Sequence, residues 1–205
     1  MNRKGYKDYH MKNNKTGEPL RLCLTAAIAV MCMVTAFLGY GFQFDHWGEY
    51  CFISNMSVGI LFLTSVIFRV SKGAFLSDVF YFDGMIVLLL IFVATLSIGL
   101  NLEGAFWFLH IINPVIVILY WFFFCRHKRN VSGKNVLTAL IFPLAYYAFT
   151  MILFALTGQC PFPISIVTDL GGIYPFIFPL IMTPVLLGLG YGLHFLNRRI
   201  HSGTE

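Results

Sequence analysis

Charge is what this chain has least of. Asp, Glu, Lys and Arg make up 11% of its 205 residues, against roughly 25% in an average globular protein. Such a chain cannot cover a water-facing surface, which excludes soluble enzyme folds and nucleic-acid-binding modules. Runs of alternating apolar and polar residues are also missing, which argues against a membrane β-barrel. No glycine-rich phosphate loop is present: Gly188, Gly190 and Gly192 lie within an apolar run rather than after a strand, so no nucleotide is implied. Cys23, Cys32 and Cys125 lack metal-ligand spacing, and neither a metal nor any other cofactor is expected. No internal repeat or low-complexity segment stands out.

What is present is apolar: 58% of residues are hydrophobic and 17% aromatic. A helix needs about 20 predominantly apolar residues to cross the hydrocarbon core. Six stretches qualify, namely Leu22–Phe42, Tyr50–Phe68, Gly84–Leu100, Ala105–Cys125, Val136–Thr157 and Ile173–Leu196. The expected fold is therefore all-α, a polytopic membrane protein of six transmembrane helices. Residues 1–21 form a basic N-terminal arm, 22–197 the six-helix transmembrane domain and 198–205 a short tail. The first span follows basic residues as a signal peptide would, but it is long for one. Gly39-Tyr40-Gly41-Phe42 is no small-residue cleavage site, so the span is read as retained.

Sorting the basic residues by loop gives an orientation. Arg3, Lys4, Lys7, Lys12, Lys15 and Arg21 precede span one, and Arg69 and Lys72 follow span two. Arg126, Lys128, Arg129 and Lys134 follow span four, while Arg198 and Arg199 follow span six. These are all 14 Lys and Arg residues, and in an antiparallel bundle they fall on one side. The other side has none, and carries Asp45, Glu49, Glu103 and Asp169. The positive-inside rule makes both termini cytoplasmic, with the protein in the cell membrane.

Within those span limits there is no Asp, Glu, Lys or Arg. That argues against an ion-coupled transporter, and against a channel with a charged ring. The informative polar residues gather at the external end. Positions 51, 54, 55 and 58 share one helical face, so Cys51, Ser54 and Asn55 point together. Span four also starts outside, which puts His110 about a turn and a half deep, at ~1.5 Å per residue. Asn113 follows three residues on, and Pro114 can kink the helix and free a carbonyl there. A thiol with an imidazole at similar depth is a recognised nucleophile–base pair, which requires Cys51 Sγ and His110 within ~4 Å.

Each of these residues also has a structural reading. Cys51 can be a small apolar residue or the disulfide partner of Cys160. A hydrogen bond to Ser54 or Asn55 would satisfy His110 without chemistry. His10, His127, His194 and His201 lie toward the cytoplasmic side, in solvent or snorkelling. The loop from Gly158 to Gly172 is rich in turn formers yet apolar, so it either folds over a pocket or lies along the interface. Pro175, Pro179 and Pro184 are expected to distort span six. Trp47, Tyr50, Trp107 and Tyr174 suit an interfacial aromatic belt.

Four segments in this order carry a family resemblance: Tyr50-Cys-Phe-Ile-Ser-Asn-Met-Ser57, Phe108-Leu-His-Ile-Ile-Asn-Pro114, Pro143-Leu-Ala-Tyr-Tyr147 and Pro161-Phe-Pro163. Over roughly residues 22–196 the chain resembles the androgen-induced-protein-like intramembrane hydrolases and their bacterial relatives. In that family a Thr at the start of span two and a His in span four cleave fatty-acid esters of hydroxy fatty acids. The His carries over onto His110, whereas the Thr position falls on Cys51. Cysteine keeps nucleophilic capacity, and a related branch of membrane acyltransferases uses a Cys–His pair. Two further departures are Cys160, where relatives often have Tyr, and Tyr120, where bacterial relatives often have Asp.

The resemblance implies an intramembrane lipid esterase whose partner is a fatty-acyl ester in the bilayer. Cys51 would be the nucleophile and His110 the general base, with Ser54, Asn55 and Asn113 as substrate-binding or oxyanion candidates. The alternatives are a lipid acyltransferase with the same pair, or a non-enzymatic permeation or structural subunit.

Overall fold

A computed structural model of the protein describes residues 3–43, 46–125, 134–158 and 174–202. Every regular element among the described residues is helical: α1 (Arg3–Tyr40), α2 (Tyr50–Lys72), α3 (Asp78–Ile98), a π-helical turn (Phe108–Ile112) running into α4 (Asn113–Phe124), α5 (Lys134–Thr138), α6 (Ile141–Thr157) and α7 (Tyr174–Ser202). Among the described residues four helical segments are long and apolar enough to cross a membrane, namely Gly17–Tyr40, Tyr50–Lys72, Asp78–Ser97 and Val136–Thr157. Phe108–Phe124 is apolar but shorter. Among the described residues the chain is thus all-helical, with four helices of the length and apolarity of a membrane protein's spans.

Helix limits differ from those read in the sequence, and the differences have causes. Residues 3–21 are helical and continuous with the first span, as the opening of α1, which runs unbroken past Pro19. Helix α3 begins six residues earlier than expected, at Asp78 rather than Gly84. Asp78 supplies an acidic first turn, which suits the positive end of a helix dipole. The earlier start brings Asp83 into the helix, where its Oδ1 accepts from Thr138 Oγ1 at 2.8 Å. The expectation of no acidic group within a span therefore fails for α3. The backbone of α7 stays helical through Pro175, Pro179 and Pro184.

Helices α1, α2 and α4 meet along a seam with two polar layers. In one, Thr25 Oγ1 and Tyr120 Oη lie 2.8 Å apart, and Arg21 Nε donates to Tyr120 Oη at 3.2 Å. Arg21 also pairs with Asp78 at 3.4 Å and lies over the Phe75 ring at 4.4 Å. Nearby, the Ser65 and Tyr81 hydroxyls are hydrogen-bonded. The other layer joins Thr35, Asn55 and Asn113. Between them lie Cys32, Val58, Phe62 and Val117, all buried. Ten residues of α1 separate the layers, about 15 Å at ~1.5 Å per residue.

Close packing of α1 on α2 depends on Gly59. A Cβ there would stand 2.5 Å from Met33 Cγ and 3.1 Å from the Ala29 carbonyl. Faces turned away from this core are apolar and exposed, as at Val30, Val34, Leu38, Ile60, Ile67 and Val70. That is the distribution a bilayer requires. His194, expected in solvent or snorkelling, is buried. It lies on the same side of α7 as Asn197, whose Nδ2 donates to the Cys125 carbonyl at 3.3 Å.

Candidate active site

The first turns of α2 present one buried face, as the spacing of positions 51, 54, 55 and 58 predicted. Cys51, Ser54, Asn55 and Val58 are all buried on it. Cys51 is a free thiol; Cys160 and the Pro161–Pro163 segment lie outside the described residues.

His110 sits mid-way through the π-helical turn and is buried. Pro114 explains why the helix widens there. A regular α-helix would crowd the proline ring against the carbonyl of residue 110, and proline has no N–H to give it. The chain inserts an extra residue instead, and the Asn113 N–H bonds the Phe108 carbonyl. Such single π-turns recur at functional sites. The next bond in that register would come from residue 114 to Leu109, and proline cannot make it. Asn55 Nδ2 supplies a side-chain donor to the Leu109 carbonyl at 3.5 Å.

Asn55 is thus the link between the two segments. Its Nδ2 lies 2.9 Å from the Cys51 carbonyl and 3.8 Å from Cys51 Sγ, and its Oδ1 accepts from Asn113 Nδ2 at 2.8 Å. Asn113 Nδ2 also donates to Thr35 Oγ1 at 2.9 Å. Both amide protons of Asn113 are therefore used within the bundle. The Ser54 hydroxyl is likewise taken, donating to the Tyr50 carbonyl at 2.5 Å. Of the three oxyanion candidates, Asn55 alone has an N–H close to the thiol. Among the described residues Asn113 Oδ1 is buried without a hydrogen-bond partner.

Satisfaction of His110 comes from neither Ser54 nor Asn55. Its Nδ1 lies 2.6 Å from the Asn101 carbonyl, in the loop between α3 and the π-turn. Gly99 (φ +68°) and Gly104 (φ +55°) flank that loop in the left-handed region that glycine enters without strain. Among the described residues no hydrogen bond joins Cys51 Sγ to His110; the two are connected through Asn55 and the Leu109 backbone.

Neighbouring groups complete the site. Tyr40 Oη donates to Glu49 Oε2 at 2.9 Å, and Glu49 Oε1 meets His46 Nδ1 at 2.8 Å. Tyr40 lies against the Cys51 thiol, and the Glu49 carboxylate is within electrostatic range of both Cys51 and His110. Phe106 packs between Tyr40 and His110, with ring centroids 5.2 and 5.7 Å away. Phe52 stacks on Trp47 at 5.1 Å and meets Tyr40 edge-on. Apolar walls around a few convergent polar groups are the usual make-up of a small-molecule site.

No known family, curated protein or solved structure matches the chain.

Among the described residues no three His, Cys, Asp or Glu side chains are grouped to hold a metal ion. Sequence reasoning missed Thr35, Tyr40 and Asn101, and placed Glu49 at this end without giving it a role in the site. Thr35 was visible as a polar residue in an apolar run, and Asn101 as a turn former between two glycines. Their partners lie on other helices, and a single span does not reveal them.

Proposed function

We propose that the protein is a six-helix intramembrane lipid esterase with both termini cytoplasmic, related to the androgen-induced-protein-like hydrolases. The observation that carries the reading is the bridge that Asn55 makes between the segment bearing Cys51 and the segment bearing His110. Asn55 touches the thiol on one side and the π-turn bearing the imidazole on the other. Four helices of spanning length, the shorter Phe108–Phe124 and the long α7 support six crossings. The distribution of Lys and Arg supports the orientation.

In this mechanism His110 takes the Cys51 proton as the thiolate attacks the acyl carbonyl of a lipid ester. Asn55 turns the amide proton of its long 3.5 Å bond to the Leu109 carbonyl toward the oxyanion that forms. Collapse of the tetrahedral intermediate breaks the ester C–O bond, and the imidazolium returns the proton to the leaving alkoxide. The resulting thioester passes to water, which makes the enzyme a hydrolase; passage to a second lipid alcohol would make it a transferase. Catalytic hydrogen bonds in empty sites commonly tighten only when substrate binds, consistent with the indirect Cys51–His110 connection. The apolar layer of Cys32, Val58, Phe62 and Val117 speaks against a polar permeation path along this seam.

The test is covalent labelling of the purified protein by a long-chain acyl electrophile. Wild type should label at Cys51, Cys51→Ala should not, and His110→Ala should label about 10²–10⁴-fold more slowly. Equal labelling of all three would remove the assignment.

A further inference from the structure

We propose that Asn101 is the positioning residue for His110, fixing which ring nitrogen is available as a base. A carbonyl oxygen can only accept a hydrogen bond, so the 2.6 Å contact to the Asn101 carbonyl places the proton on Nδ1. In the neutral ring Nε2 then holds the lone pair. The contact persists when the ring becomes an imidazolium, which steadies the charge that proton abstraction creates. A third group orienting the base in this way is part of the general logic of activated nucleophiles.

The carbonyl is held by its own residue's side chain. Asn101 Oδ1 accepts from the Glu103 N–H at 2.9 Å, an Asx turn between Gly99 and Gly104. Asn101 therefore acts twice, its side chain shaping the turn and its backbone holding the imidazole. Asn101 is exposed and lies in a loop rather than within the packed helices. A change at His110 on replacing Asn101 would therefore not be a by-product of unfolding. Among the described residues Glu49 is the charged group whose field reaches His110; it is kept in every variant used, and Asn101→Asp adds a second carboxylate.

For catalysis the inference rests on His110 being the base, but the tautomer itself does not. The experiment is nitrogen NMR of ring-labelled histidine in the full chain in nanodiscs, well above the imidazole titration range. His110→Gln identifies the His110 signals. Wild type is expected to show two well-separated ring signals, with the protonated one assigned to Nδ1. Asn101→Ala should bring the two signals together as the tautomers mix, and Asn101→Asp, which can form the same turn, should restore the separation. A wild-type proton on Nε2, or an unchanged spectrum in Asn101→Ala, would overturn the proposal. Neither result depends on substrate, so failure here is distinct from failure of Cys51 labelling.

Discussion

Asn113 on α4 gives one amide proton to Asn55 on α2 across 2.8 Å, and both side chains are fully buried. The bond ties the helix carrying the thiol to the helix carrying the imidazole. Replacing either partner strands a buried polar group, which costs about 1–3 kcal/mol, although hydrogen bonds between membrane helices average nearer 0.6. Asn55→Ala and Asn113→Ala are each expected to lower stability within that range. The double variant should lose less than their sum, as measured by a double-mutant cycle of unfolding in detergent.

The π-turn gives a second expectation. Pro114→Ala restores an N–H able to bond the residue 110 carbonyl, which favours a regular α-helix. Removing the extra residue rotates the preceding turn by about 100° and carries His110 away from α2. Stability should hold or rise while Cys51 labelling slows by about tenfold or more. Unchanged labelling would show that the widened turn is not what aims His110.

Packing at Gly59 is a third. A methyl group there meets Met33 Cγ at 2.5 Å, with backbone at 3.1 Å behind it. Overpacking of this kind typically costs about 1–3 kcal/mol. Gly188→Ala on α7 meets nothing within 4 Å and serves as the control. Thermal unfolding should separate the two, with Gly59→Ala melting lower.

At the far end of the seam, Arg21 contacts Asp78, Tyr120 and Phe75 together. Lysine cannot reproduce a planar fork that pairs and stacks at once. Arg21→Lys should therefore destabilise nearly as much as Arg21→Met, read as a fall in melting temperature. Tyr120→Phe, which keeps the ring and loses the hydroxyl, should cost only about 0.5–1.5 kcal/mol.

Much of the fold was legible because hydrocarbon imposes long apolar runs on any chain that crosses it. The buried face of α2 was legible too, since Cys51, Ser54, Asn55 and Val58 follow helical spacing. Asn101, by contrast, reaches His110 through a backbone carbonyl, which leaves no trace in residue type. Asp83 fell outside its expected span because a hydropathy reading trims a helix at its first charge. Here that charge is hydrogen-bonded to Thr138 on another helix. Buried His194 escaped for the same reason: charged neighbours such as Arg198 and Arg199 mark a stretch as wet, whichever way one side chain turns.

Helix α1 is fastened to α4 at two heights, by Thr35 to Asn113 and by Thr25 and Arg21 to Tyr120. One such pin would let the helix swivel; two forbid both swivel and axial slide. The alignment of Thr35 beneath the thiol-bearing turn is thus set partly by a guanidinium and a phenol roughly half a bilayer away. Loosening that remote pin should blur the spacing at the opposite rim without touching any residue there.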